Sequence, residues 1–477
     1  MNDKSLKQKT LKGLIWSSIE RFSVQGVQFV LGLILARLLL PEDYGLIAML
    51  AIFLALSQTF IESGFNVALI QKKNRDELDY STTFYFNIVV AFILYAVLYI
   101  SAPYIADFYD QKILISLTRI IGITIIINSF AVVQRAKFTV NIDFKTQTKA
   151  SLVSVTISGI LGVYLAYTGH GVWSLVWQAI LQRILDTLIL WYYSKWLPKE
   201  GFSYERFKKL FAFGSKLLMA GLLNTLFKNI YLIIIGKMFS ASSLGFFTRA
   251  KQLNDFPSSN VTTVLDRVMF PILSEMQDDK ERLLATYRKT IVYAALLIFP
   301  LMMGLAALAE PLIRVVLTDK WIESVWMLQL LTFAGMWYPI HSLNLNVLNV
   351  MGRSDYMLRL EVIKKILISI VLVISVPLGI EAMIYGMIIT SYISLIINTY
   401  YTKRIINYGF FKQMRDLIFV LLLSFAMGAV IYASITFISS DVLKLVFGLI
   451  EGTIFYIGIA WVFNIGKIRL LPAFVRQ

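Results

Sequence analysis

The sequence predicts an all-α polytopic membrane protein with about fourteen transmembrane helices. Three observations predict this fold class: the composition, the spacing of the apolar runs and the distribution of basic residues. Hydrophobic residues make up 58% of the 477 residues and charged residues only 16%, whereas soluble domains are about 45–50% apolar and about 25% charged. A chain this apolar cannot cover itself with polar surface in water, and a lipid bilayer removes that requirement.

Apolar runs of about 20 residues, the length that crosses a bilayer as a helix, recur along the whole chain. They occupy 11–39, 45–70, 83–102, 113–134, 150–168, 172–192, 210–236, 244–273, 290–309, 324–348, 361–377, 380–401, 416–437 and 442–464. Glycine and proline near the ends of these runs act as turn signals. The first run is too long for a cleaved signal segment, so we expect an uncleaved first span.

The basic residues between the spans predict the orientation. With the amino terminus placed inside, the inner segments hold 31 Lys and Arg residues and the outer segments hold 6. This bias follows the positive-inside rule, so both termini are expected in the cytoplasm. The net charge of +16 belongs to these short loops, and we therefore expect membrane lipids rather than nucleic acid as partners.

The chain contains two copies of a six-span unit. A shift of 200 residues places Gly45 on Gly245 and Glu62 on Thr262, and polar residues of the second span fall on polar residues of the eighth. An even-numbered unit keeps its orientation, so the repeats are parallel. The predicted organisation is a first lobe at 1–192, a cytoplasmic linker at 193–209, a second lobe at 210–401, and two further helices with a cytoplasmic tail at 402–477.

Polar and charged side chains inside the spans are unfavourable in lipid and indicate a function by default. They concentrate in spans 1, 2, 7 and 8, so we expect these helices to surround a hydrophilic cleft. Among the charged residues within spans 1, 2, 4, 6, 7 and 8 and away from their ends, basic residues outnumber acidic ones by eight to five, which favours an anionic substrate. The candidate substrate-binding residues are Arg21, Gln25, Gln28, Arg119, Lys228 and Arg249. The candidate ion-coupling residues are Glu62 and Asp266.

Some of these charges have purely structural interpretations. Arg183 and Asp186, three residues apart on one helix, can neutralise each other. The long side chain of Arg249 can reach the outer surface instead of the cleft. Glu62 can form a fixed ion pair with Arg21 instead of exchanging protons. The sequence leaves these alternatives open.

Several activities are excluded by what the sequence lacks. There is no cysteine and there are only two histidines, so disulfides and cysteine metal sites are excluded and no metal site is expected. No nucleotide-binding loop, dinucleotide fingerprint or serine nucleophile elbow occurs. We therefore expect a transporter and not an enzyme, without a cofactor and coupled to a proton or sodium gradient.

Five short segments, in order along most of the chain, carry a family resemblance. They are ARLLLPEDYG at 36–45, ALIQKK at 68–73, LGFFTRA at 244–250, FPILS at 270–274 and GRSD at 352–355. Together they resemble the multidrug/oligosaccharidyl-lipid/polysaccharide (MOP) exporter superfamily, and within it the Wzx-type polysaccharide flippases. The MATE-like fold of that superfamily, two six-helix lobes with two extra helices here, agrees with the count and the repeat.

The resemblance implies a function. It implies alternating access and a substrate made of an oligosaccharide repeat unit on undecaprenyl pyrophosphate, moved across the bacterial inner membrane for polysaccharide or O-antigen biosynthesis. A glycan polymerase machinery is an implied partner. Two alternatives remain: an ion-coupled small-molecule efflux pump of the same superfamily, and a membrane polymerase or ligase of lipid-linked glycans. The short outer loops disfavour the second alternative.

Overall fold

The computed structural model describes residues 23–62, 65–72 and 74–463. Over these ranges the chain is α-helical, with two short 3-10 turns at Asp319–Trp321 and Val376–Leu378 and no strand. The all-α prediction is confirmed. Helices dominate because a segment inside lipid must satisfy its backbone hydrogen bonds within itself.

Two compact units divide the chain after Gly245. The helices of the amino-terminal unit are α1 (Ser23–Leu38), α2 (Pro41–Glu62), α3 (Phe65–Gln71), α4 (Glu77–Tyr109), α5 (Leu114–Ile121), α6 (Ile123–Ser129), α7 (Val132–Val140), α8 (Phe144–Tyr167), α9 (Val172–Ser194) and α10 (Tyr204–Met238). Helix α11 (Ala241–Glu275) begins at the end of this unit.

The carboxy-terminal unit, Phe246–Gln477, takes the rest of α11 and the helices that follow. These are α12 (Lys280–Ala307), α13 (Ala309–Val316), α14 (Ser324–Gly335), α15 (Tyr338–Val350), α16 (Ser354–Ser375), α17 (Ile380–Ile406), α18 (Phe410–Ile435) and α19 (Asp441–Val462). Helix α18 packs along α12, and α19 packs on α18 and α13. The two extra helices at the end of the chain therefore complete the core of this unit.

Nine helical stretches among the described residues are long and apolar enough to cross a membrane. The protein is therefore a multi-pass membrane protein, while the count of about fourteen spans stays a prediction. The first predicted span, 11–39, lies partly outside the described residues. The other four fall short for local reasons. Charged side chains reduce the apolar character of α9, α11 and α16, and the predicted span 324–348 breaks into α14 and α15 at Met336 and Trp337.

Helix α10 belongs to the amino-terminal unit, although the sequence repeat assigns it to the second lobe. It packs along α2 and also contacts α3 and α4, and the rings of Phe207 and Phe86 lie 5.0 Å apart. Only 6% of its membrane window at Gly214–Met238 is buried. The compact units therefore divide at Gly245 and not at the 193–209 linker, because packing, unlike sequence repetition, depends on which neighbour a helix touches.

The repeat-related glycines Gly45 and Gly245 make a reciprocal backbone contact. A β-carbon on Gly45 would lie 1.8 Å from the carbonyl oxygen of Ala241, and one on Gly245 would lie 1.9 Å from the carbonyl oxygen of Pro41. Neither position has room for a side chain. Each glycine contacts the first residue of the other helix, so the starts of α2 and α11 cross symmetrically. This symmetry supports the sequence alignment that pairs the two glycines.

Candidate functional site

Two threonines join the polar faces of α2 and α10 inside the amino-terminal unit. The hydroxyl oxygens of Thr59 and Thr225 lie 2.9 Å apart. Thr59 donates its own proton to the carbonyl oxygen of Ala55, so Thr225 is the donor in this pair. Asn229 donates to the backbone carbonyl of Thr225 at 2.8 Å. The polar faces of α2 and α10, which the sequence predicts to line a cleft, therefore contact each other at Thr59 and Thr225.

Glu62 lies one turn beyond Thr59 on α2 and is half-buried. Its carboxylate accepts a short hydrogen bond from the Nε2 atom of Gln58. No salt bridge to Glu62 occurs within the described ranges. Arg21, the partner considered from the sequence, lies outside the described residues. The carboxylate is therefore held by one neutral donor on its own helix.

Asp186 on α9 pairs with Arg135 on α7. The Nη2 atom of Arg135 donates to a carboxylate oxygen of Asp186, whose side chain is 8% exposed. The direct partner of Asp186 is therefore Arg135, and no salt bridge between Arg183 and Asp186 forms among the described residues. Helices α7 and α9 pack together, so a side chain from the neighbouring helix reaches Asp186 more directly than one from the same helix.

Arg183 lies about one turn from Asp186 on α9 and is half-buried. It is attracted electrostatically by Asp186 and Glu62 and repelled by Arg135. In the part of the chain that the structure describes, its guanidinium forms no salt bridge and no hydrogen bond. We refer to Glu62, Arg135, Arg183 and Asp186 as the α2–α7–α9 charge cluster.

Two members of the charge cluster, Arg135 and Glu62, were not predicted to lie near Arg183 and Asp186. Arg135 was assigned to an inner loop because it follows an apolar run, whereas it lies inside α7. One sequence signal could have placed Arg135 in a helix. Gln134 and Arg135 follow the apolar run directly, without a turn residue between, so the helix can continue through them. Contact between α2 and α9 brings Glu62 into electrostatic range, and sequence spacing carries no information on that contact.

The candidate substrate residues of the first span are only partly described. Arg21 lies outside the described residues. Gln25 on α1 is half-buried, and its side-chain oxygen has no hydrogen-bond partner among the described residues. Gln28 is exposed on the same helix. Their role in substrate binding stays a prediction.

Lys228 on α10 is exposed and lies one turn from Thr225, the residue that contacts α2. Its ammonium group forms no salt bridge within the described ranges. The side chain is thus placed beside the polar contact between α2 and α10, and it is accessible. Its assignment to the substrate stays a prediction.

Arg119 on α5 packs against α4 instead of joining the charge cluster. Its guanidinium lies 4.4 Å from the ring centre of Tyr99, and its Nε atom donates to the Tyr99 carbonyl oxygen at 3.5 Å. The Tyr99 ring is exposed. Contact with an aromatic face offsets part of the unfavourable burial of a cation. The structure gives Arg119 a packing contact, and the prediction that it binds substrate has no support from its surroundings.

Arg249 on α11 is buried within the carboxy-terminal unit, with 5% of its surface exposed. Its Nη1 atom donates to the side-chain oxygen of Gln252 at 2.5 Å, and its guanidinium lies 5.7 Å from the ring centre of Trp321. Trp321 is fully buried between α13 and α14. Arg249 therefore does not extend to the outer surface. Its role in substrate binding stays a prediction.

Asp266 on α11 is held by donors from α15. The hydroxyl of Ser342 lies 2.9 and 2.8 Å from its two carboxylate oxygens, and Asn346 donates to it at 2.8 Å. The sequence reasoning missed both donors, although their spacing of four residues within an apolar run signals a polar helix face. No group of three His, Cys, Asp or Glu side chains suited to a metal comes together over the described ranges.

Ion pairs at the start of α4 anchor the predicted linker 193–209. Arg206, in the first turn of α10, donates to Asp76 at 2.7 Å, and Lys72 donates to the buried Asp79 at 2.6 Å. Desolvation acts to raise the pKa of Asp76, but hydrogen bonds with Asp79 and the charge of Arg206 outweigh it and lower the pKa. The linker is thus fixed to this unit.

Comparison with known proteins identifies relatives in polysaccharide biosynthesis. The family described as "Polysaccharide biosynthesis protein" matches residues 34–326, more than half of the chain. The chain is 27% identical to the teichuronic acid biosynthesis protein TuaB of Bacillus subtilis, over 74% of this chain and 73% of that protein. It is 23% identical to the lipopolysaccharide biosynthesis protein WzxC of Escherichia coli, over 76% and 74% of the two chains.

Solved structures share the fold. The lipid II flippase MurJ, in an inward closed conformation, superposes with a TM-score of 0.74 at 16% identity, over 94% of this chain and 99% of that chain. An inward-facing multidrug resistance MATE transporter of the MOP superfamily gives a TM-score of 0.63 at 15% identity, over 83% and 98% of the chains. At these identities the likeness shows the fold alone, and it confirms the predicted MATE-like fold class.

The fold and the charged residues within its helices define a polytopic membrane protein of the MOP superfamily fold. The matched region and the relatives then specify the group within it. The chain belongs to the polysaccharide biosynthesis protein family, and the resemblance drawn from its five short segments is confirmed.

Proposed function

We propose that this protein is a flippase that moves undecaprenyl-pyrophosphate-linked oligosaccharide repeat units across the bacterial inner membrane by alternating access. The observation that carries the proposal is the combination of the matched family over residues 34–326 with a MurJ-like fold over 94% of the chain. TuaB and WzxC are named for polysaccharide biosynthesis, and MurJ is named a lipid II flippase. These names support a transporter of lipid-linked glycans, and not an enzyme.

The chemistry of the spans supports an anionic substrate. Basic side chains outnumber acidic ones inside the predicted spans, and a pyrophosphate needs such partners to enter a helical membrane protein. Arg21, Gln25, Gln28, Lys228 and Arg249 are the proposed contacts, with Lys228 the accessible cation beside the α2–α10 contact. Arg119 is the weakest of the predicted residues because it already packs on Tyr99.

Energy for the movement is proposed to come from a proton or sodium gradient, with no cofactor. Glu62 and Asp266 are the two candidate acids, and they differ in their surroundings. Within the part of the chain that the structure describes, Glu62 accepts from a single neutral donor, whereas Asp266 accepts three contacts from α15. We propose Glu62 as the coupling acid because a carboxylate with few partners is the one free to exchange them.

The location follows from the same reasoning. The positive-inside distribution supports an orientation with both termini in the cytoplasm, and the substrate supports the inner membrane of a bacterium. Reporter fusions at Asn2 and after Gln477 are expected to give a cytoplasmic signal. A periplasmic signal at either end would mean that the number of spans is wrong by an odd number.

The function is tested first in cells. A strain that lacks the gene is expected to accumulate lipid-linked repeat units in the cytoplasmic leaflet and to lose the finished polysaccharide. Complementation with wild type restores export, and the surface variant Asp355→Asn is a control expected to restore it equally. Accumulation in the outer leaflet instead would indicate a polymerase or ligase. Normal polysaccharide with increased sensitivity to toxic small molecules would indicate the efflux alternative.

The second test uses purified protein in vesicles. Fluorescent undecaprenyl-pyrophosphate-linked oligosaccharide is placed in both leaflets, and a membrane-impermeant reductant quenches the label on the outside. We expect wild-type protein to increase the quenched fraction and the neutral lipid undecaprenol to be moved poorly. Equal movement of the charged and neutral lipids would contradict an anionic substrate site.

A further inference from the structure

Four aromatic rings surround Phe207 near the start of α10. Its ring centre lies 5.0 Å from that of Phe86 on α4 and 5.4 Å from that of Phe211 on α10. Tyr204 and Phe202 complete the set, at 6.0 and 5.8 Å. Three of the five side chains are largely exposed: Phe202 by 49%, Tyr204 by 71% and Phe211 by 44%. We refer to these five residues as the α10 aromatic cluster.

The cluster lies where a stretch of membrane-spanning length begins. The backbone nitrogen of Ser203 donates to the Thr82 hydroxyl at 3.2 Å, and Thr82 directly precedes the apolar run 83–102. Phe86 is the fourth residue of this run, which belongs to α4, a helix long and apolar enough to cross a membrane. Hydrocarbon gives way to lipid head groups near the end of such a run. The cluster is therefore placed at the boundary between hydrocarbon and head groups.

The segment before α10 is held against α4 by polar contacts. The buried Trp196 donates its Nε1 proton to Glu77, and Arg206 donates to Asp76 at 2.7 Å. The exposed rings of the cluster are therefore not the side of the segment that binds α4. Apolar rings exposed to water are unfavourable, whereas rings at the level of the lipid head groups are favoured. The exposed rings thus fit a membrane surface better than the water phase.

Basic side chains accompany the exposed rings. Across 195–209, basic residues outnumber acidic ones by five to two. Lys199 and Lys208 are exposed. Lys208 lies four residues after Tyr204 and three before Phe211, so these three side chains share one face of α10. A lysine stem can lie along apolar surface while its ammonium group reaches the head groups. Rings and ammonium groups are therefore presented together.

We propose that the α10 aromatic cluster, together with Lys199 and Lys208, binds the head groups of anionic phospholipids in the surrounding bilayer. The exposed rings insert between head groups and acyl chains, and the two ammonium groups contact lipid phosphates. The occupant is a lipid because the rings need acyl chains beside them, which a soluble anion does not supply. The predicted linker 193–209 then lies on the membrane and not in the water phase. The proposal requires only a membrane-spanning protein and is independent of the proposed function.

Spin-label accessibility in vesicles tests the position of the cluster. The chain contains no cysteine, so Phe202→Cys and Tyr204→Cys each supply a single site for a nitroxide label. Collisions with oxygen report hydrocarbon, and collisions with a water-soluble nickel chelate report water. Ile93→Cys, at an exposed position within the run 83–102, is the hydrocarbon reference, and Asp278→Cys, in the exposed turn between α11 and α12, is the water reference. Both cluster sites are expected to give oxygen-to-nickel ratios between the two references, and a ratio equal to either reference would overturn the proposal.

Lipid affinity of the full chain in neutral detergent tests the ionic contacts. The probes are dioleoylphosphatidylglycerol, which is anionic, and dioleoylphosphatidylcholine, which has no net charge. Each lysine near a lipid surface contributes about fivefold to the affinity for an anionic lipid, so the double variant Lys199→Gln, Lys208→Gln is expected to bind phosphatidylglycerol about 25-fold more weakly. Its affinity for phosphatidylcholine is expected to stay within about twofold of the wild type. Tyr204→Ser is expected to weaken binding of both lipids about fivefold, because ring insertion does not depend on the charge of the head group.

The double variant Lys280→Gln, Lys289→Gln is the matched control. It removes two exposed lysines of α12 and changes the net charge by the same amount. Its affinity for phosphatidylglycerol is expected to stay within about twofold of the wild type. Inorganic phosphate is the control for the ligand and is expected not to displace phosphatidylglycerol, because it has no acyl chains. Displacement by inorganic phosphate at the same phosphate concentration would identify a soluble anion as the ligand and overturn the proposal.

Two further outcomes would contradict the lipid surface. One is wild-type affinity for phosphatidylglycerol in the Lys199→Gln, Lys208→Gln variant. The other is an equal loss in the α12 variant, which would mean that net charge alone attracts the lipid. Neither measurement uses a lipid-linked glycan, so vesicles that moved no glycan would contradict the proposed function and leave this proposal unaffected.

Discussion

The carboxylates within the helices of the two units differ in their hydrogen-bond donors. In the amino-terminal unit, Glu62 accepts from one hydrogen-bond donor among the described residues, the amide of Gln58 on its own helix. In the carboxy-terminal unit, Asp266 has two donor residues on a neighbouring helix, Ser342 and Asn346, with three contacts between 2.8 and 2.9 Å. One carboxylate is loosely held, and the other is built into the contact between α11 and α15.

The arginines show the same contrast. Arg183 in the amino-terminal unit has attracting acids but no direct partner among the described residues. Arg249 in the carboxy-terminal unit donates to Gln252 and lies over the buried ring of Trp321. Charges with fixed partners hold helices together, while charges without them are available to a ligand or an ion. Under the proposed function, we therefore expect the exchangeable charges of transport in the amino-terminal unit.

The predicted repeat relates this difference to one position of the alignment. Glu62 corresponds there to Thr262, and Thr262 is buried and donates to the backbone carbonyl of Ser258 at 2.7 Å. The second predicted copy thus has a hydroxyl, bonded within its own helix, where the first has a carboxylate.

The largest predicted effect concerns the paired charges of the amino-terminal unit. Asp186→Asn leaves Arg135 without its partner, and breaking a buried pair in this way is expected to destabilise the protein by about 3 kcal/mol. Asp416→Asn in the carboxy-terminal unit, whose partner Arg288 is 45% exposed, is expected to cost clearly less. Thermal unfolding of the purified variants in detergent measures both.

A double variant is the control for this prediction. In Arg135→Gln with Asp186→Asn no charge is left unpaired, so the double variant is expected to be more stable than Asp186→Asn alone. Equal stability of the Asp186→Asn and Asp416→Asn variants would contradict the difference drawn between the two units.

The second prediction tests whether the repeat-related glycines Gly45 and Gly245 are equivalent. Gly45→Ala and Gly245→Ala each place a methyl group against a backbone carbonyl of the other helix, and overpacking of this kind is expected to cost about 1–3 kcal/mol. Because the contact is reciprocal, the two variants should lose stability and export activity to a similar extent. Gly458→Ala, where nothing lies within 4 Å of the added carbon, is the control. A large effect at only one of the two positions would show that the contact is not symmetric.

The third prediction separates the two carboxylates in transport. In vesicles with an imposed proton gradient, Glu62→Gln is expected to lose the response to the gradient while it still binds lipid-linked substrate. Asp266→Asn is expected to keep the response and to lose stability instead, because it disturbs contacts with Ser342 and Asn346. The comparison would be reversed if Glu62→Gln responded to the gradient as the wild type does and Asp266→Asn did not.

The smallest predicted effect lies at the start of α4 in the amino-terminal unit. The pKa of Asp76 is lowered in the folded protein, so its ionised form stabilises the fold at neutral pH and this contribution is lost as the pH falls through the lowered value. The side chain is 48% exposed, and solvent screening keeps the effect below about 1 kcal/mol. Asp76→Asn is expected to be slightly less stable than the wild type at pH 7, and the difference is expected to shrink as the pH falls through the range in which Asp76 becomes protonated. A constant difference across this range would show that the charge plays no part.

The sequence by itself determined the fold class, while the number of spans and the two-copy organisation stay predictions. Apolar runs of membrane-spanning length specify helices because lipid offers the backbone no other hydrogen-bond partners. The alignment of Gly45 with Gly245 pairs two positions that the structure places against the first residues of each other's helices. These features depend on local composition and periodicity, which the order of residues along the chain contains directly.

Only the tertiary structure decided which charges are paired. Asp186 binds Arg135, 51 residues away, and not Arg183, three residues away, because the packing of α7 on α9 brings the distant side chain closer. The same holds for Asp266 with Ser342 and Asn346, and for α10, which packs on α2 of the first copy. The energy of a charge in a membrane protein depends on its nearest neighbours in space, and these neighbours follow from helix packing and not from sequence separation.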